Sequence, residues 1–143
     1  MKKTIRLMAI AVVLVISAAL FASCGGGAST DIDLDSVDYS NVSLTIKAGD
    51  YDRMKELVDE LGAGKYDRNV IQITGENAKR TSNCSILIKN DKGVGLGVSW
   101  EVINGKFPDD YPDDGATITI TGVLVKDSNG ARVLKVPADK IEK

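Results

Sequence analysis

"VGLGVSWEV", residues 94–102, decides the fold class. Val94, Leu96, Val98, Trp100 and Val102 alternate with Gly95, Gly97, Ser99 and Glu101. Successive side chains of a strand point to opposite faces, so this spacing predicts a half-buried strand with one continuous apolar face. The glycines opposite allow two readings. They let the strand coil sharply around a small barrel, or they let a ligand lie close to the backbone. We adopt curvature.

The same period extends in both directions. Upstream, "NDKG" (90–93) predicts a tight hairpin from "CSILIK" (84–89), where Cys84, Ile86 and Ile88 share a face. Before it come the strand "NVIQITG" (69–75) and a polar turn, "ENAKRTSN" (76–83). Downstream, "ATITITGVLV" (116–125) predicts a strand with Ile118, Ile120 and Leu124 inward. "KDSNG" (126–130) turns the chain into "ARVLKV" (131–136), which Pro137 ends. Nearer the N-terminus, "VSLTIK" (42–47) alternates. Asp50 is then placed to cap a helix over "YDRMKELVDEL", with Tyr51, Met54, Leu57, Val58 and Leu61 on one face and Gly62 and Gly64 ending it. The expectation is a mainly β chain with one N-terminal helix: a small five-stranded OB-like Greek-key barrel over 41–143, preceded by a strand–helix element.

Residues 1–23 read as an address instead of a fold element. Lys2, Lys3 and Arg6 precede the apolar run "LMAIAVVLVISAALF", and "FASC" (21–24) closes it. Small residues before a cysteine resemble the bacterial lipobox, in which the thiol is acylated and the chain is cut in front of it. Lipidation of Cys24 and attachment to the extracytoplasmic face of a bacterial membrane are therefore expected. Residues 24–40 then form a flexible acidic linker, begun by "GGGAST". Asp31, Asp33 and Asp35 alternate as at the start of a calcium loop, but neither the glycine nor the closing glutamate follows. Cleavage before Cys24 leaves 120 of the 143 residues. It removes three of the 18 basic residues and none of the 20 acidic ones, so the net charge falls from −2 to −5. Such a surface repels phosphate backbones and anionic head groups, which argues against nucleic acid and leaves the acyl chains to hold the membrane.

Two segments carry a resemblance. "YDRNVIQITG" (66–75) is similar to the Tyr-x-Gly-Lys-x-Val-x-x-x-Gly opening strand of OB-like domains in uncharacterised bacterial lipoproteins, and in the soluble C-terminal domain of a permease-associated family. "YPDDGATITITG" (111–122) resembles a second segment of the same domains, Tyr-Pro-x-x-Gly-x-x-Ile-x-Val-x-Gly. With the strand–helix lead-in the likeness covers about 100 residues. Arg68 and Asn69 stand where glycine and lysine are usual, and "DKGVGLGVSW" lacks a Cys-Cys pair that many members carry there. The resemblance implies a fold and a location, and no activity.

The chemistry-bearing residues are few. No histidine is present, which removes Ser-His and Cys-His nucleophile systems and histidine zinc sites. With Cys24 acylated, Cys84 has no disulfide partner and reads as a small buried residue. The carboxylates fall in the linker, on the outer helix face (Asp52, Glu56, Asp59, Glu60) and in "FPDDYPDDG" (107–115). Thr119 and Thr121 lack a base to activate them, so no enzyme and no cofactor are expected. An OB face binds oligonucleotides or oligosaccharides. Here Lys79, Arg80, Lys89 and Lys92 make only a thin basic edge. The candidate ligand contacts are Phe107 and Tyr111, expected exposed at the barrel mouth, and Trp100, which core packing claims first. A saccharide, peptide or envelope protein is the expected partner, ahead of a structural adaptor role in an envelope or transporter complex. "FPDDYPDDG" reads as the turn feeding the next strand, stiffened by Pro108 and Pro112 and bent at Gly115. Asp109, Asp110, Asp113 and Asp114 form at most a weak calcium site, because adjacent pairs do not reproduce an alternating calcium loop.

Overall fold

Alternation in the sequence becomes seven strands and one α-helix in the computed structural model, which describes residues 32–79, 84–111 and 113–143. Cys24 and the apolar leader, Arg80 and Pro112 lie outside the described residues. The elements are β1 (Val42–Ile46), α1 (Tyr51–Gly62), β2 (Val70–Lys79), β3 (Cys84–Lys89), β4 (Gly95–Val102), β5 (Thr117–Lys126), β6 (Arg132–Val136) and β7 (Ile141–Glu142).

Strand β2 is long enough to serve two barrel neighbours, and β1 besides. Its first part pairs antiparallel with β5, from Val70↔Val123 to Glu76↔Thr117, and its last part with β3, from Glu76↔Leu87 to Lys79↔Cys84. β3 pairs antiparallel with β4, β4 runs parallel to β6, and β6 returns antiparallel to β5. The ring β2–β3–β4–β6–β5 thus closes on β2, giving the five-stranded OB-like Greek-key barrel. β1 adds a parallel strand outside β2, and β7 a short one beside β5.

Closing so small a barrel needs sharp coiling, and glycine supplies it where strands nearly touch. A Cβ on Gly122 would stand 2.4 Å from the Lys135 carbonyl oxygen, and one on Gly97 2.7 Å from that of Ile86. No side chain fits at either place. The glycines of β4 therefore divide: Gly97 is fixed by the approach of β3, whereas a Cβ on Gly95 would make only ordinary contact, 3.5 Å from Lys89.

Ile71, Ile73, Ile86, Trp100, Ile120 and Leu134 are among the side chains that fill the interior. Each fully buried large apolar side chain contributes about 1.5–3 kcal/mol. Helix α1 packs against β3 and β4, burying Met54, Leu57 and Leu61. At its C-terminal end Ala63 N–H donates to the Asp59 carbonyl and Gly64, at φ +83°, reverses the chain.

Four local expectations need correction. The polar turn expected from residue 76 does not begin there, because β2 continues through Glu76–Lys79 in register with β3. Glu76 finds a cross-strand partner there in Lys89 at 2.6 Å, so ladder pairing outweighs composition. Asp50 does not cap α1; its carboxylate accepts from the Lys47 N–H, 3.2 Å away, within the preceding turn. Val58 is 39% exposed and sits at the margin of the buried helix stripe. Finally, β4 is not apolar and buried throughout. Trp100 and Val102 are buried, Leu96 and Val98 half-buried, and Val94 is 51% exposed. The gradient follows topology, since β6 reaches only Trp100, Glu101 and Val102.

Candidate functional site

The acidic loop 107–115 is bound to the barrel through Asn77. Asn77 lies on the inward side of β2, after Ile71, Ile73 and Gly75, and is 0% exposed. Its backbone and that of the loop exchange hydrogen bonds: Asn77 N–H donates to the Ala116 carbonyl (2.8 Å) and Gly115 N–H to the Asn77 carbonyl (2.7 Å). Its amide Nδ2 donates to the Asp113 carbonyl at 3.4 Å, and its Oδ1 accepts from the Tyr111 hydroxyl at 2.7 Å. A buried amide is costly unless its donors and acceptor are used, and here the loop supplies the partners. Gly115, at φ +85°, makes the bend into β5.

Phe107 and Tyr111 are half-buried and turned toward the core instead of standing exposed at the barrel mouth. With Trp100 they form one aromatic cluster: Phe107 and Tyr111 have ring centroids 4.6 Å apart, and each lies about 6 Å from Trp100. Trp100 is 1% exposed, and its Nε1 is buried without a hydrogen-bond partner among the described residues. Cys84 is buried, with its Sγ 3.9 Å from the Tyr111 hydroxyl. Burial of the phenol, and then the neighbouring Cys84, push the Tyr111 hydroxyl well above the ordinary tyrosine range. A cleft of about 460 Å³ runs past this cluster, bordered by Leu34, Asn104, Phe107 and Lys135. Lys135 forms an ion pair with Glu101 at its rim. Leu34 belongs to a short 3₁₀ turn (Leu34–Ser36) within the stretch expected as linker, and its carbonyl accepts from the Tyr39 hydroxyl at 3.2 Å.

The four loop aspartates do not converge. Asp109, Asp110, Asp113 and Asp114 are exposed, and Asp110 pairs instead with Lys143 at 2.6 Å. The Lys143 ammonium holds the Asp110 carboxyl below the usual carboxylate range. Among the described residues no three acidic or cysteine side chains gather as a cation shell would require.

Thr119 and Thr121 are occupied in the β2–β5 ladder. Thr119 Oγ1 lies 2.8 Å from Thr74 Oγ1, and Thr121 Oγ1 accepts from Gln72 Nε2 at 3.2 Å. Of the thin basic edge, Lys89 pairs with Glu76 and Lys92 is exposed.

Two structurally important residues escaped the sequence reading. Asn77 was legible only by carrying the alternation of β2 two residues past Gly75. Arg132 had no local signal: its Nη1 donates to the Gly62 carbonyl at 2.7 Å and its guanidinium pairs with Asp67 at 3.3 Å, tying α1, the β2 approach and β6 together. The chain matches no protein-family model, and no curated protein is detectably similar to it in sequence.

Proposed function

We propose that the chain is a lipid-anchored, non-catalytic binding module of the bacterial cell envelope, related to the OB-like lipoproteins whose motifs it resembles. The observation that carries this reading is "FASC" behind a short apolar run with a basic start, which supplies both an acylation site at Cys24 and an export route. The barrel then provides the binding surface. With Trp100 sealed in the core, recognition of a saccharide, peptide or envelope protein falls to the outward face of β3 and β4 and to their loops. Thr119 and Thr121 serve the ladder, and the exposed acidic groups stand in water, an arrangement suited to docking and not to proton transfer.

The full chain should partition into the detergent phase on phase separation, and Cys24→Ser should move it to the aqueous phase. Wild type already found in the aqueous phase sinks the anchor. Titrating the full chain with neutral oligosaccharides and with extended peptides tests the binding half, which fails if neither gives a signal.

A further inference from the structure

Among the described residues, strand β4 has an edge that no other strand uses. β3 pairs with β4 from Gly95 to Trp100, but on the other side β6 pairs only with Trp100, Glu101 and Val102. Among the described residues, no strand lies against that side of Gly95–Ser99. The hairpin register shows which groups are left over. Asn90 N–H donates to the Val94 carbonyl at the hairpin base, so the even-numbered residues of β4 exchange bonds with β3. Gly95, Gly97 and Ser99 direct their backbone N–H and C=O groups outward.

This edge is not blunted as free edges usually are. "GLGVS" contains no charge and no proline, and protective lysines or bulges are absent from it. It borders a recess of about 360 Å³ between α1 and the β5–β6 turn, walled by Met54, Val58, Val98 and Ala131. A smaller hollow of about 160 Å³ continues past Ser99 between Glu101 and Val133, where β4 and β6 begin to separate. Among the described residues, Val58 and Val94 are the large hydrophobics left exposed: Val58 walls the recess and Val94 leads into the edge. Arg132, also at the recess, is already engaged by Asp67 and Gly62, so no unspent charge calls for an ionic ligand.

We propose that this edge receives one extended segment of a partner polypeptide, which adds a strand beside Gly95–Ser99 and lays alternate apolar side chains against Val58 and Met54. Unpaired strand groups select a strand as the occupant, because main-chain bonds supply affinity and flanking hollows supply side-chain choice. The recess selects a single strand over the edge of a second barrel, which α1 and the β5–β6 turn would hold away. This narrows the binding-module reading above to a protein partner and rests on it.

The test uses the full chain in detergent micelles with a peptide alternating valine and threonine between terminal lysines, and hydrogen exchange resolved to single amides. At saturating peptide, Gly95, Gly97 and Ser99 should exchange about tenfold more slowly, while Leu96 and Val98, already bonded to β3, change little. A copy N-methylated at alternate residues should lose the effect. Val58→Thr, which keeps the shape of the side chain but removes an apolar contact from the recess, should weaken it while the protected amides of β3 show the fold intact. Protection already present without peptide, protection that rises with protein concentration (a second copy on the edge), or protection at β1 instead would each overturn the proposal. So would no protection at millimolar peptide. Any of these outcomes, with wild type still in the detergent phase and oligosaccharide binding intact, removes the edge and leaves the anchored binding module standing.

Discussion

The hydroxyl of Tyr111 donates a 2.7 Å hydrogen bond to Oδ1 of Asn77, joining an acidic loop to a fully buried amide 34 positions earlier. The contact turns a stretch that reads as polar punctuation into part of the core. Tyr111→Phe keeps the ring among Phe107 and Trp100 but removes that donor from a buried acceptor. Losing it should cost about 1–2 kcal/mol, and Asn77→Ala, which also removes the bond to Asp113, about 2–3 kcal/mol. Urea denaturation of both single variants and the double variant checks this. Additive losses would mean that the two side chains do not act as a pair.

The raised Tyr111 hydroxyl also makes a pH prediction. In the unfolded chain the phenol ionises near the ordinary value of about 10, whereas in the folded protein it holds its proton to higher pH. Above the unfolded value the unfolded state binds fewer protons, so stability falls as pH rises. The contribution is complete below that pH and is lost on the alkaline side. Wild type should therefore lose its advantage over Tyr111→Phe between about pH 10 and the alkaline limit of folding. A difference between the two that stays constant through this window would refute the linkage.

Gly122 and Gly95 make a matched pair. A Cβ at Gly122 meets the Lys135 carbonyl oxygen at 2.4 Å, a backbone atom that cannot swing away, while one at Gly95 meets only ordinary contacts. Gly122→Ala should destabilise by about 2–3 kcal/mol through forced strand separation. Gly95→Ala should stay within about 0.5 kcal/mol. Equal melting temperatures for the two variants would contradict the close approach.

These cases show where the sequence was readable. The period-2 runs at 84–89 and 94–102 report strands with one face turned to the core, and the helix stripe through Met54, Leu57 and Leu61 is equally local. The β-branched run at 116–125 reports a strand, but not that it is buried on both faces from Ile120 to Val125. Long-range choices left no such mark. That β2 keeps pairing through Asn77, that Asp50 serves its own turn, and that β4 emerges from cover before Trp100 all depend on which strand lies alongside. The aromatic cluster was visible as residue types. Its inward direction was not, because it follows from Asn77 offering a buried acceptor.

The acidic loop gives a metal prediction. With Asp110 held by Lys143 and the other aspartates dispersed on the exposed loop, about 1 mM calcium should shift the melting temperature by less than about 2 °C. A shift several times larger that vanished in Asp113→Asn/Asp114→Asn would establish a cation site and displace the reading of 107–115 as a pinned turn.

Arg68 offers a test in the stabilising direction. It occupies the position at which the resembled opening motif carries glycine, and its backbone sits in the left-handed region at φ +65°. The conformation is imposed by its neighbours: Arg68 N–H donates to the Leu124 carbonyl at 2.7 Å and Leu124 N–H returns to the Asn69 carbonyl at 3.0 Å, fixing the entry into β2 against β5. For a residue with a Cβ that region costs about 1–2 kcal/mol, and glycine escapes the clash. Glycine also adds freedom to the unfolded chain, which offsets part of the gain. The Arg68 side chain is exposed, so replacing it removes little packing. Arg68→Gly should stabilise the domain by about 0.5–1 kcal/mol, whereas Arg68→Ala, which keeps the Cβ, should leave it nearly unchanged. Chemical denaturation of the three proteins decides it: a glycine variant no more stable than the alanine variant would show that the left-handed turn carries no strain.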